Sequence, residues 1–170
     1  MSHGMREIAP QRYREEFGRY YEDFTVGDVY EHRPGRTVTE QDNINFTLMT
    51  MNTHPLHFDR AYAEKSEFGQ PVVNSTLTLS IVVGMSVSDL SQKAIANLGW
   101  NDIRLTAPVF NGDTLYAESE VLAKRESAKR PNQGVVTVRT KGVKSDGTEF
   151  MSFERTMLVP KRGHGVDDRL

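Results

Sequence analysis

Asn52-Thr53-His54-Pro55-Leu56-His57-Phe58-Asp59 gathers groups able to do chemistry into one short stretch. It holds two of the chain's five histidines, His54 and His57, either side of Pro55-Leu56, with Asn52 before them and Asp59 after. Three readings are open. Two histidines and a carboxylate can ligate iron or zinc, but familiar metal pairs sit on a regular helix, and Pro55 breaks the backbone here. His32 is the one further histidine in the body of the chain, so no metal is expected. A polar turn would need no chemistry: His57 would be a hydrogen-bonded turn residue, with Pro55, Leu56 and Phe58 packing the core. An acid/base site would use His57, because an imidazole titrates at about 6.5. Such a site also needs donors for a developing oxyanion. Backbone N–H groups near Ser75 and Thr76, at the positive end of an apolar helix, would supply them. Asn52 can hold a water but cannot take its proton. Arg60 and Arg104 are candidate contacts for a carboxylate or phosphates, although surface arginines are usually only solvated.

These residues must be held by elements that the pattern lets one place. Val29 to Arg33 reads as a strand between turns at Gly27-Asp28 and Pro34-Gly35. Thr39 followed by Glu40, Gln41 and Asp42 reads as a capped helix start, with Ile44, Leu48 and Met51 recurring at helical spacing beside Phe46. A short helix is predicted from Asp59 to Glu67, with Ala61, Tyr62 and Phe68 inward and Gly69 closing it. Asn74 or Ser75 would cap a helix from Thr76 to Leu90 that is apolar nearly all round, hence enclosed. After Gln92 the period becomes two. "IRLTAPVF", "TLYAESEVLAKRES", "GVVTVRTKGVKS" and "EFMSFERTMLVP" read as an antiparallel meander broken by Gly- and Asn-containing turns. An antiparallel sheet wrapped around one apolar helix is an α+β arrangement, and its open edges need cover, which a second copy would supply.

The totals remove whole classes of function. A chain of 170 residues, 37% hydrophobic and 26% charged, reads as one soluble domain. A net charge of −2 offers no field for nucleic acid or anionic membrane. The absence of cysteine excludes disulfides, thiolate nucleophiles and zinc-thiolate sites, and it suits a reducing cytoplasm. The apolar run "LTLSIVVGMSV" is too short to span a bilayer. The start, MSHGMREIAP, lacks a basic-then-apolar signal region. Arg12 to Arg19 reads as a charged lead-in that docks Tyr20, Tyr21 and Phe24 on the body; "KRGHGVDDRL", with His164, reads as a flexible tail.

Three stretches together resemble the MaoC-like hydratase/dehydratase family of (R)-specific enoyl-CoA hydratases. The family's Asp-x-Asn-Pro-Leu-His-x-Asp is matched by Asn52 to Asp59. Its Phe-Gly-x-Pro, two apolar residues and His-Gly are matched by Phe68 to Ser75, and its Pro-Val-x-x-Gly-Asp-Thr-Leu by Pro108 to Leu115. The departures are Asn52 for the family's catalytic Asp, His54 for its motif Asn, and Asn74-Ser75 for its His-Gly. An Asn-Thr in place of the Asp is similar to the mesaconyl-CoA or itaconyl-CoA hydratase branch. The resemblance implies a single hotdog domain over residues 20–160, between a lead-in (1–19) and a tail (161–170). It implies a homodimer or dimer of dimers with active sites at the subunit interface. It also implies a lyase that reversibly hydrates the α,β double bond of an enoyl-CoA, with a short branched or dicarboxylic acyl chain, and with no cofactor because CoA is part of the substrate. By position, His57 would be the acid/base, Asn52 would stand where the Asp does, and the Ser75 N–H would face the thioester oxygen. His54 and Asn74 would bind substrate. A thioesterase of the same fold and a catalytically inactive acyl-CoA-binding subunit are the competing expectations.

Overall fold

The computed structural model describes residues 4–169; residues 1–3 of the lead-in and Leu170 of the tail lie outside them. An exposed hairpin, β1 (Met5–Ala9) and β2 (Arg12–Glu15), precedes the body. The body runs β3 (Val29–Thr37), α1 (Glu40–Met49), α2 (Arg60–Ala63), α3 (Ser75–Met85), β4 (Ala96–Leu105), β5 (Thr114–Glu126), β6 (Gln133–Lys144) and β7 (Glu149–Pro160). The five body strands form one antiparallel sheet in the order β3-β5-β6-β7-β4. It is the expected α+β arrangement, a sheet curled around one apolar helix. Leu77 and Val82 of α3 pack on Leu115, Ala117, Phe150 and Phe153 of the sheet. A second cluster, including Phe24, Leu90, Val121, Val136 and Met157, fills the other end.

Several local expectations are corrected. Pro34-Gly35 is no turn; β3 continues through it across an irregular register between His32 and Arg36. β3 lies at a sheet edge, where a proline's missing N–H deprives no neighbour of a bond. The α1 cap is as read, with Thr39 Oγ1 accepting from Asp42 N–H and the Asp42 carboxylate accepting from Thr39 N–H. The buried side of α1, however, is polar: Asn43 and Thr47 are buried while Leu48 and Met51 are exposed. The helix predicted over 59–67 is one turn long and buries Ala63, leaving Ala61 and Tyr62 exposed. The central helix stops at Met85 and passes into a wider π-type turn over Val87–Ser91.

β4 begins well before Ile103, and the stretch from Thr106 to Phe110 is not part of it. Only β5, β6 and β7 form a meander; β4 crosses to the far edge and pairs with β7. Tyr20 and Phe24 dock as expected. Residues 161–169, expected as a flexible tail, are tied back: Arg162 reaches Asp23, and Tyr20 donates to Asp168 at 2.8 Å. His164 is exposed.

Candidate active site

His57 and the start of α3 are both positioned by one stretch, Val72 to Asn74. Val72 N–H donates to Leu56 O at 3.2 Å, and Val73 N–H donates to Val109 O at 2.8 Å, so the stretch is held from both sides. The chain enters from α1 through Met51, whose φ of 58° lies in the left-handed region. There Asn52 N–H closes back onto Thr47 O at 3.0 Å. A β-carbon in this region is strained, and no glycine relieves it here. Asn52 Oδ1 then accepts from His54 N–H at 2.9 Å, which leaves its Nδ2 donors without an acceptor among the described residues. His54 is extended (φ −71°, ψ 114°), the conformation a following proline demands, and Pro55–His57 makes a single 3-10 turn.

The two imidazoles are held by backbone groups of opposite kind. His57 Nδ1 lies 2.8 Å from Val72 O. A carbonyl only accepts, so Nδ1 carries the proton, and in the neutral ring Nε2 is left as an acceptor, able to take a proton. His54 Nδ1 accepts from Leu56 N–H at 3.1 Å. Its neutral ring therefore carries its proton on Nε2 and presents a donor. The ring centroids are 5.8 Å apart, and Tyr62 stands edge-on to His54 at 6.2 Å.

Asn43, which the sequence reading passed over, underlies this arrangement. It is completely buried. Its Nδ2 donates to His57 O (2.9 Å) and Val72 O (3.2 Å), and its Oδ1 accepts from Asn74 N–H (2.9 Å). A polar residue at i, i+4 with Thr47 on the inner side of α1 was the available signal, and the apolar periodicity beside it drew the reading to the other face.

Asn74 caps α3. Its Oδ1 accepts from Thr76 N–H at 3.0 Å and Thr76 Oγ1 at 2.7 Å, and its Nδ2 donates to Thr47 Oγ1. Expected to contact substrate, Asn74 is instead buried with its carboxamide engaged inside the protein. Leu77 and Thr78 N–H groups both donate to Asn74 O. That leaves Ser75 N–H, at the start of an 11-residue helix, with no acceptor among the described residues. Ser75 is exposed and lines a cavity of about 300 Å³ with Phe68, Val72, Thr78, Pro108 and Phe150. Gly142 makes room for that wall, since a Cβ there would lie 2.5 Å from the Phe150 ring.

Thus the structure brings His57, with His54 beside it, against the Val72–Asn74 stretch that leads into Ser75. From Val72 to Ser75 the chain spans at most about 10 Å. His57 and Asn52 do not line the cavity that Ser75 lines. Arg60 and Arg104 lie on the surface, paired with Glu40 and Asp102. Asp59 caps α2 by accepting from Tyr62 N–H, and among the described residues no group of His, Asp and Glu is placed to hold a metal ion. No helix among them is long and apolar enough to cross a membrane.

Comparisons with known proteins bear on the same residues. The family model for mesaconyl-CoA hydratase matches residues 5–168. The chain is 34% identical over 145 residues to a mesaconyl-CoA hydratase of Cereibacter sphaeroides, covering 85% of this chain and 42% of that protein. It thus spans about two-fifths of the length of several curated relatives it matches. It is 30% identical over 115 residues to an (R)-specific enoyl-CoA hydratase of Aeromonas caviae, covering 68% of this chain and 81% of that one. A Mycobacterium tuberculosis protein with a double hotdog fold superposes at a TM-score of 0.77 and 23% identity, over 88% of this chain and 47% of that one, which bears on the fold alone.

Proposed function

The chain belongs to the MaoC-like hotdog hydratase/dehydratase family, and we propose that it adds water reversibly across the α,β double bond of an enoyl-CoA thioester. The observation that carries this reading is His57 held by Val72 O with Nε2 left as an acceptor, next to a helix start whose Ser75 N–H has no partner among the described residues. Hydration of a thioester-activated alkene asks for a base and an oxyanion donor. Water attacks Cβ, His57 Nε2 takes its proton, and negative charge moves onto the thioester oxygen, where Ser75 N–H and the α3 dipole stabilise it. His57 then returns the proton to Cα. Hydroxyl and hydrogen are thereby added and the base is regenerated. Asn52 holds the water through its Nδ2 donors. The route needs no cofactor, CoA being part of the substrate, and a CoA thioester fits a cytoplasmic setting.

A short branched dicarboxylic chain, mesaconyl-CoA or itaconyl-CoA, is the substrate we favour. The family match supports it, as does His54, whose Nε2–H donor suits a distal carboxylate. Asn74 serves substrate binding indirectly, by holding the start of α3. A second copy of the chain would complete the site, because the base lies outside the cavity that Ser75 lines.

Crotonyl-, mesaconyl- and itaconyl-CoA assayed with wild type and His57→Ala test this. Wild type should hydrate at least one of them, with preference for a dicarboxylic chain. His57→Ala should lose about 10²–10⁴-fold in kcat. Thiol release without hydration would instead indicate a thioesterase. That chemistry wants a carboxylate near α3, and the first one after Asn74 is Asp89, beyond the helix and paired with Arg19. Binding without turnover would indicate an inactive acyl-CoA-binding subunit.

A further inference from the structure

We propose that Asn43 is a positioning residue that couples the two halves of this site, fixing the tautomer of His57 and the start of α3 with one carboxamide. Its kinetic consequence rests on the hydratase reading above; its structural content does not.

A fully buried asparagine is costly unless its amide is satisfied. Here two donors and one acceptor atom are all used. The two Nδ2 hydrogens go to His57 O and Val72 O, and Oδ1 takes Asn74 N–H at 2.9 Å, with Thr47 Oγ1 at the limit of bonding, 3.5 Å. The amide's orientation is unambiguous, because carbonyls only accept and a backbone N–H only donates.

Each partner matters to the chemistry. Val72 O is also the acceptor for His57 Nδ1–H, so Asn43 and His57 share the oxygen that decides which ring nitrogen is free. His57 O is the exit from the 3-10 turn that carries the ring. Asn74 N–H is the last backbone donor before Ser75, so its bond to Asn43 sets where α3 starts and where the Ser75 N–H lies. Base and oxyanion donor come from segments 18 residues apart (57 and 75), and Asn43, on a third segment, touches both. A side chain without donors takes away the partner of His57 O and one of the two at Val72 O, and the turn is then tied to the stretch before α3 only through His57 Nδ1 and the Val72 N–H bond to Leu56 O.

Two variants divide the roles. Asn43→Asp keeps the shape and the acceptor for Asn74 N–H, but turns an oxygen toward two carbonyls. Asn43→Leu keeps similar bulk and removes every bond. The first readout is the ring-nitrogen chemical shifts of His57 by nitrogen-15 NMR, at a pH of about 8, where an imidazole is neutral. Wild type should hold the Nδ1–H form, and both variants should drift toward a mixture with Nε2–H. The second readout is kinetics on whichever enoyl-CoA the wild type hydrates: kcat should fall about a hundredfold while KM changes little.

A folded variant that keeps the Nδ1–H form and full kcat, with only a lower Tm, would make Asn43 a structural residue and overturn the proposal. If neither variant folds, wild type alone decides. An Nε2–H ring overturns it, whereas an Nδ1–H ring with slow exchange of both Asn43 amide protons supports it. A wild type that hydrates nothing sinks the hydratase reading, while the tautomer result still decides the role of Asn43.

Discussion

His54 and His57 are the same side chain given opposite chemistry by backbone atoms. One accepts an N–H and so presents a donor; the other donates to a carbonyl and so presents an acceptor. Neither outcome depends on a charged neighbour, so substitutions that keep the backbone turn should keep the assignment. In the proposed hydration Ser75 would act through its N–H alone, which makes that role separable from its side chain. Proline is accepted at the first position of a helix, and Asn74 already has the extended backbone (φ −55°, ψ 125°) that a following proline requires. Ser75→Pro should therefore fold with a near-wild-type circular dichroism spectrum and lose about 10²–10³-fold in kcat. Ser75→Ala, which keeps the N–H, should stay within a few-fold of wild type. A fully active Ser75→Pro variant would remove the N–H from the mechanism.

At the scale of elements, α3 is tied at both ends by buried polar groups. Its start is held by Asn74, Asn43 and Thr47. Beyond its end, Arg155 of β7 donates to Ser86 Oγ at 3.0 Å, a cation where the helix dipole favours one, and burial lowers its guanidinium to about 10. Close by, His32 of β3 contacts Ser119 Oγ at 2.8 Å, and Ser119 in turn contacts Thr140, a polar ladder across three strands. Burial pushes the His32 imidazole down to about 4, the Asp89 carboxylate opposing that shift. A base whose folded value is depressed stabilises the fold while neutral. That contribution is complete above the unfolded value of about 6.5 and is lost as pH falls toward 4, an effect of about 3 kcal/mol. Asp42, held below the usual carboxylate range by the Thr39 N–H, adds its own loss only at lower pH. Tm should therefore fall between pH 6.5 and 4, and His32→Asn should flatten that slope. An equal slope in both proteins would place the titrating group elsewhere.

For the whole molecule, the open question is what covers β4. It is a sheet edge, and Leu98, Trp100, Ile103 and Leu105 on it are all exposed. A long apolar edge strand of this kind invites another strand. A second copy is the occupant we favour, since it would also complete the site between Ser75 and His57. The chain holds a single tryptophan, Trp100, in that strand. Sedimentation should give a dimer, and dilution should shift tryptophan emission to the red as Trp100 becomes wetted. Ile103→Glu should favour monomer and lower activity together. A monomer with full activity would refute the shared site.

The chain's local chemistry was enough to place the Thr39–Asp42 and Asn74 caps, the broken turn at Pro55 and the alternating strands, because each depends on groups within a few residues of one another. The motif stretches were legible for the same reason, and with them the positions of His57, Asn52, Ser75 and His54, whereas Asn74, expected to bind substrate, is a buried helix cap. What lay outside the sequence depends on partners far along it. The free nitrogen of His57 is decided by a carbonyl 15 residues away, and the burial of Asn43 by bonds to residues 14, 29 and 31 positions on. The place of β4 beside β7 is likewise a choice among strands with equal claims to pair. Such pairings are settled only when the whole sheet closes over α3, and with them which side of α1 is inside and which nitrogen can act as a base.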